Sequence, residues 1–281
     1  MQEGVLYIKN GEKIGYRRAG VADKQKVLLL NGHEGYSSFY MQLMVKLAQE
    51  YDVLMIDLRG CGQSSYLRSF SSFAELAVDV QEVLGYLSYR DAYLIGWLYG
   101  GAVALELAAI NPEIKGCILL SSIGLQGYRT FPSLQKNVDE IGVHEEVKKQ
   151  LMLRKLNTLL LEIYQEQEML WSDLLGQRVE GMLPVAGEVE AWQDVAMAYK
   201  MAMLRFNMSK EFNGIIAGSG RIAKINCPLL IVYPHADKAM DFSIWRREEL
   251  QQREEATKIC LLPAKSARAN LLLGVIQEFV G

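Results

Sequence analysis

The chain has 281 residues, half of them apolar and 22% charged, with a formal net charge of −3. That length suits one large α/β domain, with room for an inserted lobe. So nearly neutral a surface lacks the basic footprint of a nucleic-acid binder and any electrostatic draw to anionic membrane. Residues 1–16 hold no basic stretch followed by an apolar run, and no window approaches the roughly 18 apolar residues of a membrane span. The composition therefore predicts a cytoplasmic protein with neither partner.

In chain order, Gly4 to Asn10 and Lys13 to Arg18 read as a hairpin, because Asn10-Gly11 supplies the positive φ of a type I′ turn. Lys26 to Leu30 is a short apolar strand, Ser37 to Gln49 a helix and Asp52 to Asp57 a second strand. Phe73, Leu76, Ala77, Val80, Val83, Leu84 and Leu87 recur at helical spacing and predict a helix over Phe73 to Tyr89, with Ser72 and Glu75 as its capping box. Ala92 to Ala108 reads as a buried strand, a glycine-flanked sharp turn and a helix. Ile118 to Ser122, Leu229 to Tyr233 and Lys258 to Leu262 are further strands, and Asn270 to Val280 is the closing helix. Strand–helix alternation with unbroken apolar strands predicts a mostly parallel, doubly wound sheet covered on both faces.

Between Gly124 and about Arg221 that rhythm stops. The region shows two amphipathic helices, one around Glu146 to Gly176 and one over Val189 to Met208, where Trp192, Val195, Tyr199, Met203 and Phe206 recur at helical spacing. This predicts a helical cap inserted over 125–221, with the core made of 1–124 and 222–281. Seven of the twelve methionines fall in the insertion (Met152, Met169, Met182, Met197, Met201, Met203, Met208). Flexible thioethers serve equally to pack a lobe onto a core or to line an adaptable apolar pocket.

The turn Gly96-Trp97-Leu98-Tyr99-Gly100-Gly101 is the most informative segment. Glycines on both sides let the backbone take a strained turn that lifts the central side chain to the top of the sheet, which is the geometry of a nucleophile elbow. Here the lifted side chain is Leu98. With Leu28-Leu29-Leu30-Asn31-Gly32-His33, Asp57-Leu58-Arg59-Gly60-Cys61-Gly62-Gln63-Ser64 and Pro228 to Asp237, this segment resembles the α/β-hydrolase fold superfamily in its capped, esterase-like branch. The likeness covers roughly 20–124 and 220–281.

The resemblance implies a triad of nucleophile, histidine and acid. Asp237 stands at the acid position, Leu98 at the nucleophile position, and Ser266 aligns with the histidine; Asn31 replaces the histidine of the family's His-Gly pair. It also implies an oxyanion hole from the backbone N–H groups of His33 and Tyr99, with Asn31 and Trp97 beside it. His33 otherwise reads as a loop residue, His144 as a solvated or capping residue, and His235 as a base with no hydroxyl to activate. Cys61, Cys117, Cys227 and Cys260 lack metal-ligand spacing and read as buried thiols. No metal cluster or cofactor motif is visible, since no Lys-Ser/Thr pair follows Gly96 to Gly101 as a phosphate loop requires.

Three function classes fit. One is a non-catalytic descendant of a serine hydrolase that binds a small apolar or carboxylate ligand under the cap. Another is an enzyme with non-serine chemistry resting on Asp237, Tyr99 or Asn31. The third is an interaction or scaffold protein whose lobe binds another protein.

Overall fold

Strands that are apolar on both faces are stable only when helices cover both sides of the sheet, and the computed structural model of the chain has that architecture. It describes residues 1–31, 38–122, 189–208, 212, 220–234, 256–262 and 271–281. Its strands are β1 (Gln2–Tyr7), β2 (Lys13–Gly20), β3 (Lys26–Leu30), β4 (Asp52–Ile56), β5 (Tyr93–Trp97), β6 (Gly116–Leu120), β7 (Leu229–Pro234) and β8 (Thr257–Leu262). They form one eight-stranded sheet in the order β1-β2-β4-β3-β5-β6-β7-β8. β1 and β2 pair antiparallel, as do β2 and β4, and every other pairing is parallel. Among the described residues the helices are α1 (Ser38–Leu47), α2 (Phe73–Tyr86), α3 (Tyr99–Ile110), α4 (Val189–Met208) and α5 (Leu271–Val280), with a short 3-10 helix at Arg221–Lys224.

From β3 the chain runs to β4 on one side and then returns to β5 on the other. The ends of β3 and β5 therefore flank the crevice where the winding reverses, the usual ligand position in an open α/β sheet. Val27 to Leu30 of β3 and Leu94 to Trp97 of β5 are buried, so these ends are rigidly placed.

Several boundaries differ from the sequence expectation for local reasons. Of the expected hairpin turn only Gly11 has positive φ (89°). The loop is Ile8 to Glu12, closed by Gly11 N–H donating to the Ile8 carbonyl (2.9 Å), while the Asn10 side chain accepts from Glu12 N–H (3.0 Å). Asn10 thus works as an Asx turn, not as the first residue of a type I′ turn. α2 stops at Tyr86 because Ser88 enters the left-handed region (φ 50°). β6 starts at Gly116 and ends before Ser121, which turns at φ 38°. Ser72 caps α2 as expected, accepting from Glu75 N–H.

The second helix expected between 125 and 221 has the expected bounds, Val189–Met208. The first, around 146–176, lies outside the described residues. Cys61, Cys117 and Cys227 are buried, whereas Cys260 on edge strand β8 is only half-buried, because an edge strand has a neighbour on one side alone. Among the described residues no helix is long and apolar enough to cross a membrane.

Candidate functional site

Leu98 links β5 directly to α3 and holds φ 49°, ψ −115°. That conformation lies outside the regions open to a residue with a γ-branched side chain and stores about 1–3 kcal/mol. Two backbone bonds maintain it: Leu98 N–H donates to the Leu120 carbonyl (3.3 Å), and the Leu98 carbonyl accepts from Gly101 N–H (3.1 Å). The flanking glycines are needed for space. A Cβ on Gly96 would lie 2.5 Å from the Gly100 carbonyl oxygen, and one on Gly100 would lie 1.9 Å from that of Leu30. The first turn of α3 is thus pressed onto the end of β3, directing its N-terminal amides toward the strand ends.

The strained residue carries an isobutyl group, which can neither attack a carbonyl nor carry a proton. Trp97, Leu98 and Tyr99 are each 0% exposed. Trp97 stacks on Tyr40 (centroids 5.9 Å, 28°), whose hydroxyl donates to the Ile95 carbonyl (2.6 Å). Burial holds the Tyr40 phenol well above its ordinary value, so it stays neutral. Tyr99 stacks on Tyr199 of α4 (5.4 Å, 21°) and touches Phe73 of α2 (5.7 Å). Asn31 follows β3, half-buried. Of the other expected site residues, His33, Asp237 and Ser266 lie outside the described residues, as do His144 and His235.

The Asp57-to-Ser64 segment is a braced turn. Asp57 Oδ1 accepts from Arg17 Nη1 (2.9 Å), Asp57 Oδ2 from Gln63 N–H (3.0 Å), and Ser64 Oγ from Gly15 N–H (2.9 Å). Arg59 reaches the other way, with Nε 2.9 Å and Nη2 2.7 Å from the Asp79 carboxylate of α2 and Nη1 donating to the Arg68 carbonyl (3.2 Å). Glu12, 0% exposed, lies 4.0 Å from Arg59 Nε and accepts from Leu67 N–H (2.9 Å) and Ser65 Oγ (2.6 Å). Another buried carboxylate, Glu106 of α3, accepts from Nε and Nη2 of Arg221 (2.8 and 2.7 Å) where the chain re-enters the core.

The sequence reading missed both ion networks. Each had a signal: Asp79 shares the buried face of α2 with Leu76, Ala77, Val80 and Val83, and Glu106 is the lone charge in an otherwise apolar helix. A buried carboxylate requires a cation or several hydrogen-bond donors. Among the described residues there is no group of three or more His, Cys, Asp or Glu side chains that could hold a metal ion.

This topology, with a strained strand-to-helix elbow beside the switch point, agrees with a family model described as alpha/beta hydrolase fold, which matches residues 26–247. The chain belongs to the α/β-hydrolase fold family. An uncharacterized hydrolase of Bacillus subtilis, YugF, is 23% identical over 240 residues, covering 85% of this chain and 82% of that protein. Mouse epoxide hydrolase 4 is 31% identical over 107 residues, 37% of this chain and 30% of that protein. Among solved structures, the enol-lactonase of Burkholderia xenovorans LB400 superposes with a TM-score of 0.57 at 18% identity, covering 99% of this chain and 97% of that one. This last is a likeness of fold.

Proposed function

We propose that this α/β-hydrolase-fold protein is not a serine hydrolase and instead binds a small apolar or carboxylate ligand at the strand-end crevice beneath its helical lobe, over 125–221. The observation carrying this reading is Leu98: the strained elbow is kept in full, with an apolar group at its apex. A triad needs a nucleophile and a base, and in this reading Leu98 and Ser266 stand at those two positions, with Asp237 left as the acid. The retained amides then act as an anion seat, with Tyr99 N–H and His33 N–H as donors and Leu98 as the apolar floor.

This reading is tested by calorimetric titration of matched fatty or aromatic carboxylates and their methyl esters. Hydrogen bonds to a charged group are worth about 1.5–3 kcal/mol, so the acid is expected to bind roughly 10- to 100-fold more tightly than its ester. Leu98→Asp is expected to remove that preference by like-charge repulsion. An acid that binds no better than its ester, or that is indifferent to the added charge, overturns the anion seat.

A second reading, an interaction or scaffold protein, is favoured by one specific observation. Trp97, Leu98 and Tyr99 are completely buried, and the ring of Tyr199 already lies on Tyr99. Absence of heat with every acid and ester would favour it.

A further inference from the structure

In hydrolase folds with an inserted lobe, the simplest division assigns every residue of the insertion to one unit that can move over the core. The contacts of α4 contradict that division. Its stripe Val195, Ala198, Tyr199, Ala202, Met203 and Phe206 is buried, and it is spread over three separate parts of the core. Against the 57–70 loop, the Tyr199 hydroxyl donates to the Arg59 carbonyl (3.0 Å) and lies 3.2 Å from Cys61 Sγ, while its ring meets Phe70 edge-on (4.9 Å, 82°). Against α2, Phe206 meets Phe73 edge-on (5.7 Å, 70°), and Arg205 Nη1 donates to Ser71 Oγ at the start of that helix (3.0 Å). Against α3, Tyr199 stacks on Tyr99.

The receiving surface is shaped for this helix. Gly60 turns at φ 79°, and a methyl group there would stand 2.7 Å from Val195 Cγ1. Arg59, whose carbonyl receives Tyr199, is itself fixed by Asp79 and stands 5.8 Å over Phe70. Downstream, the Glu106–Arg221 pair fastens the return of the chain onto α3. Buried rings, a buried hydroxyl with its acceptor and a glycine cut to fit are what an interior interface has, whereas elements that open in function are poor in such contacts.

We infer that α4 is a fixed wall of the α/β core and does not move over the strand ends as a separate unit. The helix Val189–Met208 then belongs mechanically to the core, and the strand-end crevice is not reached by displacing it. This inference does not depend on the chemistry proposed for Leu98.

Hydrogen exchange followed by mass spectrometry on the full-length chain tests it. Peptides within 194–206 are expected to exchange within about tenfold of peptides from α2 and α3, because all three open only when the core does. Exchange in α4 more than tenfold faster, with α2 and α3 still protected, overturns the inference. Tyr199→Phe supplies a second readout in a protein that keeps the ring contacts and lacks the hydroxyl bond to Arg59. For a wall, its loss speeds exchange in α4, α2 and α3 together; acceleration confined to α4 contradicts the fixed attachment.

Discussion

The purified protein is expected to hydrolyse short activated esters no faster than the background given by bound oxyanion donors. Removing a nucleophile or base from a triad typically lowers kcat by about a million-fold and leaves roughly 10³- to 10⁴-fold over water. Leu98→Ser alone should stay at that background, because the new hydroxyl has no imidazole to take its proton. Leu98→Ser combined with Ser266→His should rise above it where Asp237 orients the new ring. Initial rates of all three proteins on one nitrophenyl ester check this. Saturable turnover by the wild type near the ordinary enzyme median of about 10 s⁻¹ would contradict the proposed role of Leu98. Equal rates for the single and double variants would instead place the histidine position elsewhere than Ser266.

The largest stability effect is expected at Asp79. Asp79→Ala leaves the Arg59 guanidinium, 4% exposed, without its two short carboxylate contacts; stranding a buried charge typically costs about 3–5 kcal/mol, and with Glu12 still 4.0 Å away and the Arg68 carbonyl retained the loss is expected toward the lower end of that range. Replacing both partners, Arg59→Met with Asp79→Leu, should recover most of the loss. Glu12 still keeps its donors from Leu67, Arg68 and Ser65 in that variant. Urea unfolding of the wild type and both variants measures the difference; equal destabilisation of single and double would refute the stranded-charge explanation.

The pH dependence has a definite sign. Burial raises the Asp79 carboxyl above its ordinary value, and the nearby Arg59 only partly opposes this. The folded state therefore binds that proton more tightly than the unfolded chain. The proton-linked part of the Asp79 contribution is present in acid and is lost as pH rises through the raised value, so in urea unfolding the advantage over Asp79→Asn should be larger in mild acid than at neutrality.

The fold was legible wherever local rules decide it. The apolar strands, the Ser72 cap of α2 and the bounds of α4 follow from burial periodicity and capping, which need only near neighbours. The elbow was legible for a steric reason, since only glycines admit the approach of α3 to β3. What was not legible depends on pairing across the chain. Asn10 hydrogen-bonds a side chain 69 residues away, and Arg221 reaches a glutamate 115 residues away. Periodicity marked Tyr199 as part of a buried stripe but could not say that its ring would rest on Tyr99. Such contacts decide whether a helix forms part of a lobe or part of a core.

Fluorophosphonate labelling of the wild-type protein, read by intact mass, bears most directly on the claim that Leu98 removes serine chemistry from this hydrolase fold. The reagent reacts with a serine hydroxyl activated by a neighbouring base, whatever the substrate of the enzyme. The account predicts an unchanged mass after prolonged incubation. A stoichiometric adduct mapped to any single serine would show an activated nucleophile in this chain and would contradict it.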